Sequence, residues 1–112
     1  MVERAPDDLD LDAIFQALAH PIRRDLLEQL AGGDESVGDL AEPHEVSLAA
    51  VSKHLHVLAD AGLVEFEKDG RIRRCHLEAA PLSTAFGWLT RYRVFWEDRL
   101  DALAIHLEDD DR

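Results

Sequence analysis

The sequence predicts a mostly α-helical domain that carries one small β-hairpin. Two observations lead there. Apolar residues recur at i, i+3, i+4 and i+7 in several separate stretches, which is the spacing of one helix face. The pair Asp69-Gly70 stands between two strand-like runs, LVEFEK and RIRRCHL, a strong short-range hairpin signal. At 112 residues the chain has the length of one domain with a modest core. Its hydrophobic content of 46% excludes disorder throughout.

The elements follow in order. Residues 1–10 read as an acidic tail, 11–107 as the folded domain and 108–112 as a second acidic tail. The first helix is expected over 11–19, with Leu11, Ile14, Phe15 and Leu18 on one face. His20-Pro21 breaks it, because proline disfavours helix in the residue before it and suits a helix's first turn. A second helix runs from Pro21 to Ala31, turns Ile22, Leu26, Leu27 and Leu30 inward, and stops at Gly32-Gly33. Ser36 offers an N-cap to a short third helix over 37–42, closed by Pro43. Ser47 caps a fourth, whose inner face is Leu48, Val51, Leu55, Leu58 and Ala59. Ala49, Lys53, His56 and Asp60 fall on its outer face, and Gly62 takes its left-handed end position. The third and fourth helices with their joint have the size of a helix-turn-helix.

A two-residue turn at Asp69-Gly70 would pair Lys68 with Arg71, Glu65 with Arg74 and Val64 with Cys75. Val64, Phe66, Cys75 and Leu77 would then face the core. Pro81 opens a last helix expected to reach Leu107, with Leu82, Ala85, Phe86, Leu89, Tyr92, Trp96, Leu100, Leu103 and Leu107 as its stripe. Trp88, Phe95 and Ile105 lie off that stripe, so the apolar face is wider than one packing partner needs.

Charge is distributed unevenly. The formal net charge is −12, yet residues 1–12 carry −4 and 107–112 carry −3, which leaves −5 for the body. Within 47–76 the balance reverses to +1: Lys53, Lys68, Arg71, Arg73 and Arg74 oppose Asp60, Glu65, Glu67 and Asp69. No apolar run approaches the roughly 20 residues of a membrane span, and the first residues are acidic and polar. A soluble, cytoplasmic protein without a membrane partner is expected. The single cysteine, Cys75, can form neither an internal disulfide nor an all-cysteine metal site.

Helix, helix, helix-turn-helix, hairpin, helix is the winged-helix order. The stretches LAHPIRRDLLEQLA, SVGDLAEPHEVSLAAVSKHLHVLADAGLV and DGRIRRCHL resemble the ArsR (arsenical-resistance repressor) family of transcription regulators. The likeness covers about residues 13–77, and AVSKHLHVLADAGLV is its most specific part. It implies a homodimer that binds a near-palindromic double-stranded DNA operator and usually represses its own promoter. Residues 47–61 would be the recognition helix and 63–77 the wing.

The residues support a DNA-binding reading in their own right. Ser47 opens the helix, and Ala49 and Ala50 are small enough to let it approach base edges. Ser52, Lys53 and His56 offer donors to bases or phosphates. His54 lies toward the packed side, which suits a structural role or a phosphate contact better than base readout. Arg71 and Arg73 on the hairpin can reach phosphate or a neighbouring minor groove, whereas Arg74 reads as charge-paired with an acid across the hairpin. The wide apolar face of the last helix, with the first helix, suggests a dimer seam of Leu11, Ile14, Phe15, Leu89, Tyr92, Trp96, Leu100 and Leu103. The aromatic group Trp88, Tyr92, Phe95 and Trp96 could instead line a small ligand pocket, but the dimer seam is the favoured reading.

Many members of the family sense metals, so ligand patterns matter. The third helix has no Cys-x-Cys pair, and on the last helix His106 stands with Asp109 but lacks the earlier half of a site. His20, His44, His54, His56 and His76 show no ligand spacing. No metal or other cofactor is expected. Cys75 should be buried packing rather than a redox sensor. No grouping of nucleophile, base and orienter and no phosphate-binding glycine loop appears, so an enzyme is not expected. The rival readings are a metal- or redox-gated member of the same family and a winged helix that docks proteins through its acidic surface.

Overall fold

The computed structural model describes residues 6–95 and 97–101, with side chains from Leu11 onward. Helix α1 (Pro6–Leu18) begins inside the segment read as a tail, with proline in its first turn, where the missing N–H costs nothing. Helix α2 (Pro21–Ala31) has the expected limits. His20 caps it, its Nδ1 accepting from the Ile22 N–H at 3.2 Å. Arg24 reaches back to donate to the Leu18 carbonyl at 2.7 Å, which satisfies an orphan acceptor at the end of α1. A two-residue strand β1 (Glu35–Ser36) leads into α3 (Val37–Ala41), and α4 (Leu48–Asp60) follows.

Strands β2 (Val64–Asp69) and β3 (Ile72–Leu77) form the hairpin, and β1 pairs antiparallel with the other edge of β3. The register differs from the expected one. Asp69 pairs with Ile72, Lys68 with Arg73, Glu67 with Arg74 and Phe66 with Cys75, so the turn is Gly70-Arg71. A turn on Asp69-Gly70 of the common type would need positive φ at both residues. Among the described residues no non-glycine has positive φ, and with Gly70 first in the loop at φ +65 none needs it. The shift moves partners by two positions, so every side chain keeps its face. Val64 and Cys75 are buried, and Phe66 and Leu77 pack against the core beside them.

That core joins Leu26, Leu27 and Leu30 of α2, Leu40 of α3, Val51, Leu55 and Leu58 of α4, and Leu63 at the entry to β2. Truncating a fully buried leucine such as Leu55 to alanine should cost about 2–5 kcal/mol. One expected seam position and one expected inner position need correction. Ile14 is only 1% exposed, so it belongs to the interior of the chain and leaves no surface for a seam. Leu48 has the right spacing for the inner stripe of α4 but is 57% exposed at the first residue of that helix.

The last helix also differs from expectation. Helix α5 (Ala80–Leu89) gives way to a 3₁₀ turn at Thr90–Tyr92, and helix resumes over 93–95 and 97–101. The Thr90 hydroxyl donates to the Gly87 carbonyl at 2.6 Å, a back-bond that suits a tightened turn. The inward stripe is rotated from the expected one. Ala85 is buried, Trp88 is half-buried and meets Phe15 of α1 edge-on at 5.7 Å, and Phe86 is 68% exposed. Trp96, Leu103, Ile105, His106 and Leu107 lie outside the residues whose side chains are described.

Candidate nucleic-acid interface

Two serine caps frame the helix-turn-helix. The Ser36 hydroxyl accepts from the Asp39 N–H and the Ser47 hydroxyl from the Ala50 N–H, both at 3.1 Å. Such caps contribute about 1 kcal/mol each. Ser47 therefore starts α4, whatever else its hydroxyl does. The joint between α3 and α4 is tied to α2 by Gln29. Its amide nitrogen donates to the Leu40 carbonyl at 3.3 Å, and its Oε1 lies 2.8 Å from His44 Nε2. Because an amide oxygen can only accept, His44 must carry its proton on Nε2. Neither Gln29 nor His44 stood out in the sequence, since long-range side-chain bonds leave no local pattern.

On α4 the predicted residues separate by environment. Ala49, Lys53 and His56 are exposed, and Ala50 and Ser52 are half-buried at the flanks. His54 is turned against His20, with ring centroids 4.3 Å apart. Burial chiefly, and then the positive surroundings of His20, Arg23, Lys53 and His44, hold the His54 imidazole below its ordinary value. That shift favours the neutral ring, which packs α4 against the start of α2. The unpredicted member of this surface is Leu48, an exposed apolar side chain at the N-terminal turn, where helices of this type approach bases.

The wing sorts its charges by strand parity. Alternate residues point to opposite faces, so Lys68 and Arg73 share a face with Phe66 and Cys75. That face meets α4: the His56 ring lies 5.0 Å from the Phe66 ring, and the Arg73 guanidinium sits 5.0 Å from the same ring. Glu65, Glu67 and Asp69 fall on the other face with Arg74, which pairs with Asp69 at 3.4 Å. Arg74 is thus charge-paired, as its crowded arm suggested, though its partner is Asp69. Arg71 is exposed in the turn itself. Lys68 and Arg73, like charges directly opposite each other, repel unless an anion lies between or beside them. Lys68 was legible in principle, standing two residues past Phe66 and so on its face.

Cys75 is buried, and burial pushes its thiol up to about 11, with Arg73 opposing weakly. A thiol with so little thiolate at neutral pH is packing rather than a reactive group.

An adjoining helix pair over a buried core, with a hairpin whose cationic face continues the exposed face of the second helix, defines a winged helix-turn-helix of the DNA-binding class. A family model described as a helix-turn-helix domain matches residues 18–65. The HTH-type transcriptional regulator Rv2034 of Mycobacterium tuberculosis is 40% identical over 102 residues, covering 89% of this chain and 92% of the relative. The transcriptional repressor SdpR of Bacillus subtilis is 29% identical over 82 residues, covering 73% and 91%. The solved structure of an ArsR-like transcriptional regulator from Rhodococcus sp. RHA1 superposes with a TM-score of 0.71 at 34% identity, covering 88% of this chain and 93% of that one. The chain belongs to the ArsR family of winged helix-turn-helix regulators, and it is a DNA-binding transcriptional regulator. Among the described residues, no helix is long and apolar enough to cross a membrane.

Proposed function

We propose that the chain represses transcription in the cytoplasm as a homodimer, with α4 in the major groove of a near-palindromic operator and the wing on the adjoining backbone. The observation that carries this reading is the sorting of charge on the wing. The cations Lys68 and Arg73 lie on the face that meets α4, and the acids lie on the face turned away. Ser52, Lys53 and Leu48 would meet base edges, with Ala49 and Ala50 allowing the close approach. Arg71 and Arg73 would hold phosphates.

The dimer is supported by surface that a lone chain leaves wet. Leu89, Tyr92, Val94, Phe95 and Leu100 are exposed along and beyond α5. The radius of gyration is 17.9 Å, against about 13 Å for a compact chain of this length. A seam built from Leu11, Phe15, Leu89, Tyr92 and Leu100 would set two recognition helices about 34 Å apart, one turn of DNA. SdpR, a relative covered over most of its length, is itself named a repressor.

The test is selection of bound sites from a random duplex library, followed by sedimentation of wild type and Leu100→Glu. Paired inverted half-sites, a wild-type dimer and a monomeric variant without operator affinity are expected. Asymmetric single sites, or an unchanged dimer in the variant, would contradict the arrangement.

A further inference from the structure

We infer that Glu65, His76 and Glu78 form a binding site for one divalent transition-metal cation, of which Zn²⁺ is the natural probe, on the face of the hairpin turned away from α4. The three ligand atoms, one from each residue, lie within 4.8 Å of one another. Both carboxylates stand on the same side of the imidazole, with Glu65 Oε2 at 2.9 Å and Glu78 Oε1 at 3.5 Å from Nε2. Four-coordinate zinc with bonds near 2.1 Å holds its ligand atoms about 3.4 Å apart, so modest side-chain rotations close the set around an ion.

Three further features fit. Asp34 Oδ2 stands 4.0 Å from the other ring nitrogen, Nδ1, on the opposite side of the imidazole. That is beyond hydrogen-bond distance, but a side-chain rotation would bring the carboxylate behind the ring, where such a partner fixes the tautomer of a ligating histidine and raises its basicity. The backbone also pre-places the donors. Glu65 and His76 are cross-strand partners, and the Glu78 N–H donates to the Leu63 carbonyl at 2.8 Å, which pins Glu78 beside the start of β2. Finally, three carboxylates surround one imidazole, so even a protonated ring leaves net negative charge that a dication would neutralise.

Mixed imidazole and carboxylate donors suit zinc and its neighbours in the first transition row better than calcium or magnesium. The site lies apart from the third and last helices, and it corrects the expectation that His76 has no ligand partners, because Glu65 reaches it from across the hairpin. A bound ion would cross-link β2, β3 and the segment leading into α5, and it would touch no DNA.

The test is Zn²⁺ titration of the full chain against a chromogenic chelator near neutral pH, with His76→Gln, Glu78→Gln, Asp34→Asn and a control, Asp39→Asn. Wild type and the control should share a site that is weakened about tenfold or more in His76→Gln and Glu78→Gln, and about tenfold in Asp34→Asn. All four side chains of the cluster are at least partly exposed, so the variants should fold, and circular dichroism confirms that for each. Equal zinc affinity and stoichiometry in wild type and His76→Gln would overturn the site, as would its loss in Asp39→Asn.

Discussion

With α4 docked as proposed, Leu48 and His54 divide the tasks of reading and holding between single side chains of one helix. Leu48 is largely exposed, so Leu48→Ala should change stability by no more than about 0.5 kcal/mol while weakening operator binding. Denaturant unfolding and anisotropy on the selected operator separate the two effects, and a loss of stability without a loss of affinity would make Leu48 a packing residue. His54 works in the opposite sense. Its folded value lies below the 6.5 of the free side chain, so it favours the fold while neutral. That contribution is present above pH 6.5 and is lost as pH falls toward the folded value. Replacing it with glutamine should therefore flatten the decline of stability below that pH. An unchanged slope in melting curves would remove His54 from the account.

At the scale of elements, two of the glycines with positive φ set where the wing begins and turns. Gly62 (φ +79) ends α4, and Gly70 (φ +65) opens the hairpin turn. A Cβ at Gly70 would meet no atom within 4 Å, so Gly70→Ala should cost only backbone strain, about 1–2 kcal/mol. Gly70→Asn should recover part of that, because asparagine tolerates the left-handed region. Denaturant midpoints that fail to separate alanine from asparagine would place the strain elsewhere. These elements also show what was legible beforehand. Strand parity gave the correct faces of Val64, Phe66, Cys75 and Leu77 even though the turn was misplaced by a residue. The order of helices was readable because each carries its own cap or breaker, from His20-Pro21 to Ser36 and Ser47. Strand β1 was not, since two residues carry no period and owe their conformation to pairing with β3. The rotation of α5 was hidden because Phe86 and Leu89 are as apolar as Ala85 and Trp88, and only contact with α1 decides between the faces. Of the candidate interface, the exposed faces of Ala49, Lys53, His56 and Arg73 were legible from spacing and charge, while Lys68 needed parity and the exposure of Leu48 left no mark in the helical spacing.

Over the whole molecule, 24 acidic residues face 10 arginines and 2 lysines, so electrostatics must be managed by placement. At about 1 M KCl the screening length falls to roughly 3 Å, and self-repulsion between the acids largely vanishes. The chain should therefore melt at a higher temperature in molar than in dilute KCl, and equal or higher stability in dilute buffer would show that its charge is already balanced locally. The central claim is that the wing presents its cations toward DNA and its acids away from it. Arg73 and Arg74 test that most directly, being adjacent residues of the same chemistry on opposite faces of one strand. The measurement is fluorescence anisotropy of DNA binding across a range of salt concentrations for wild type, Arg73→Ala and Arg74→Ala. Arg73→Ala should weaken binding to operator and scrambled duplex alike and lower the salt slope by about 1 for each wing engaged, with Arg74→Ala close to wild type. Equal losses in the two variants, or a loss in Arg74→Ala alone, would contradict the account.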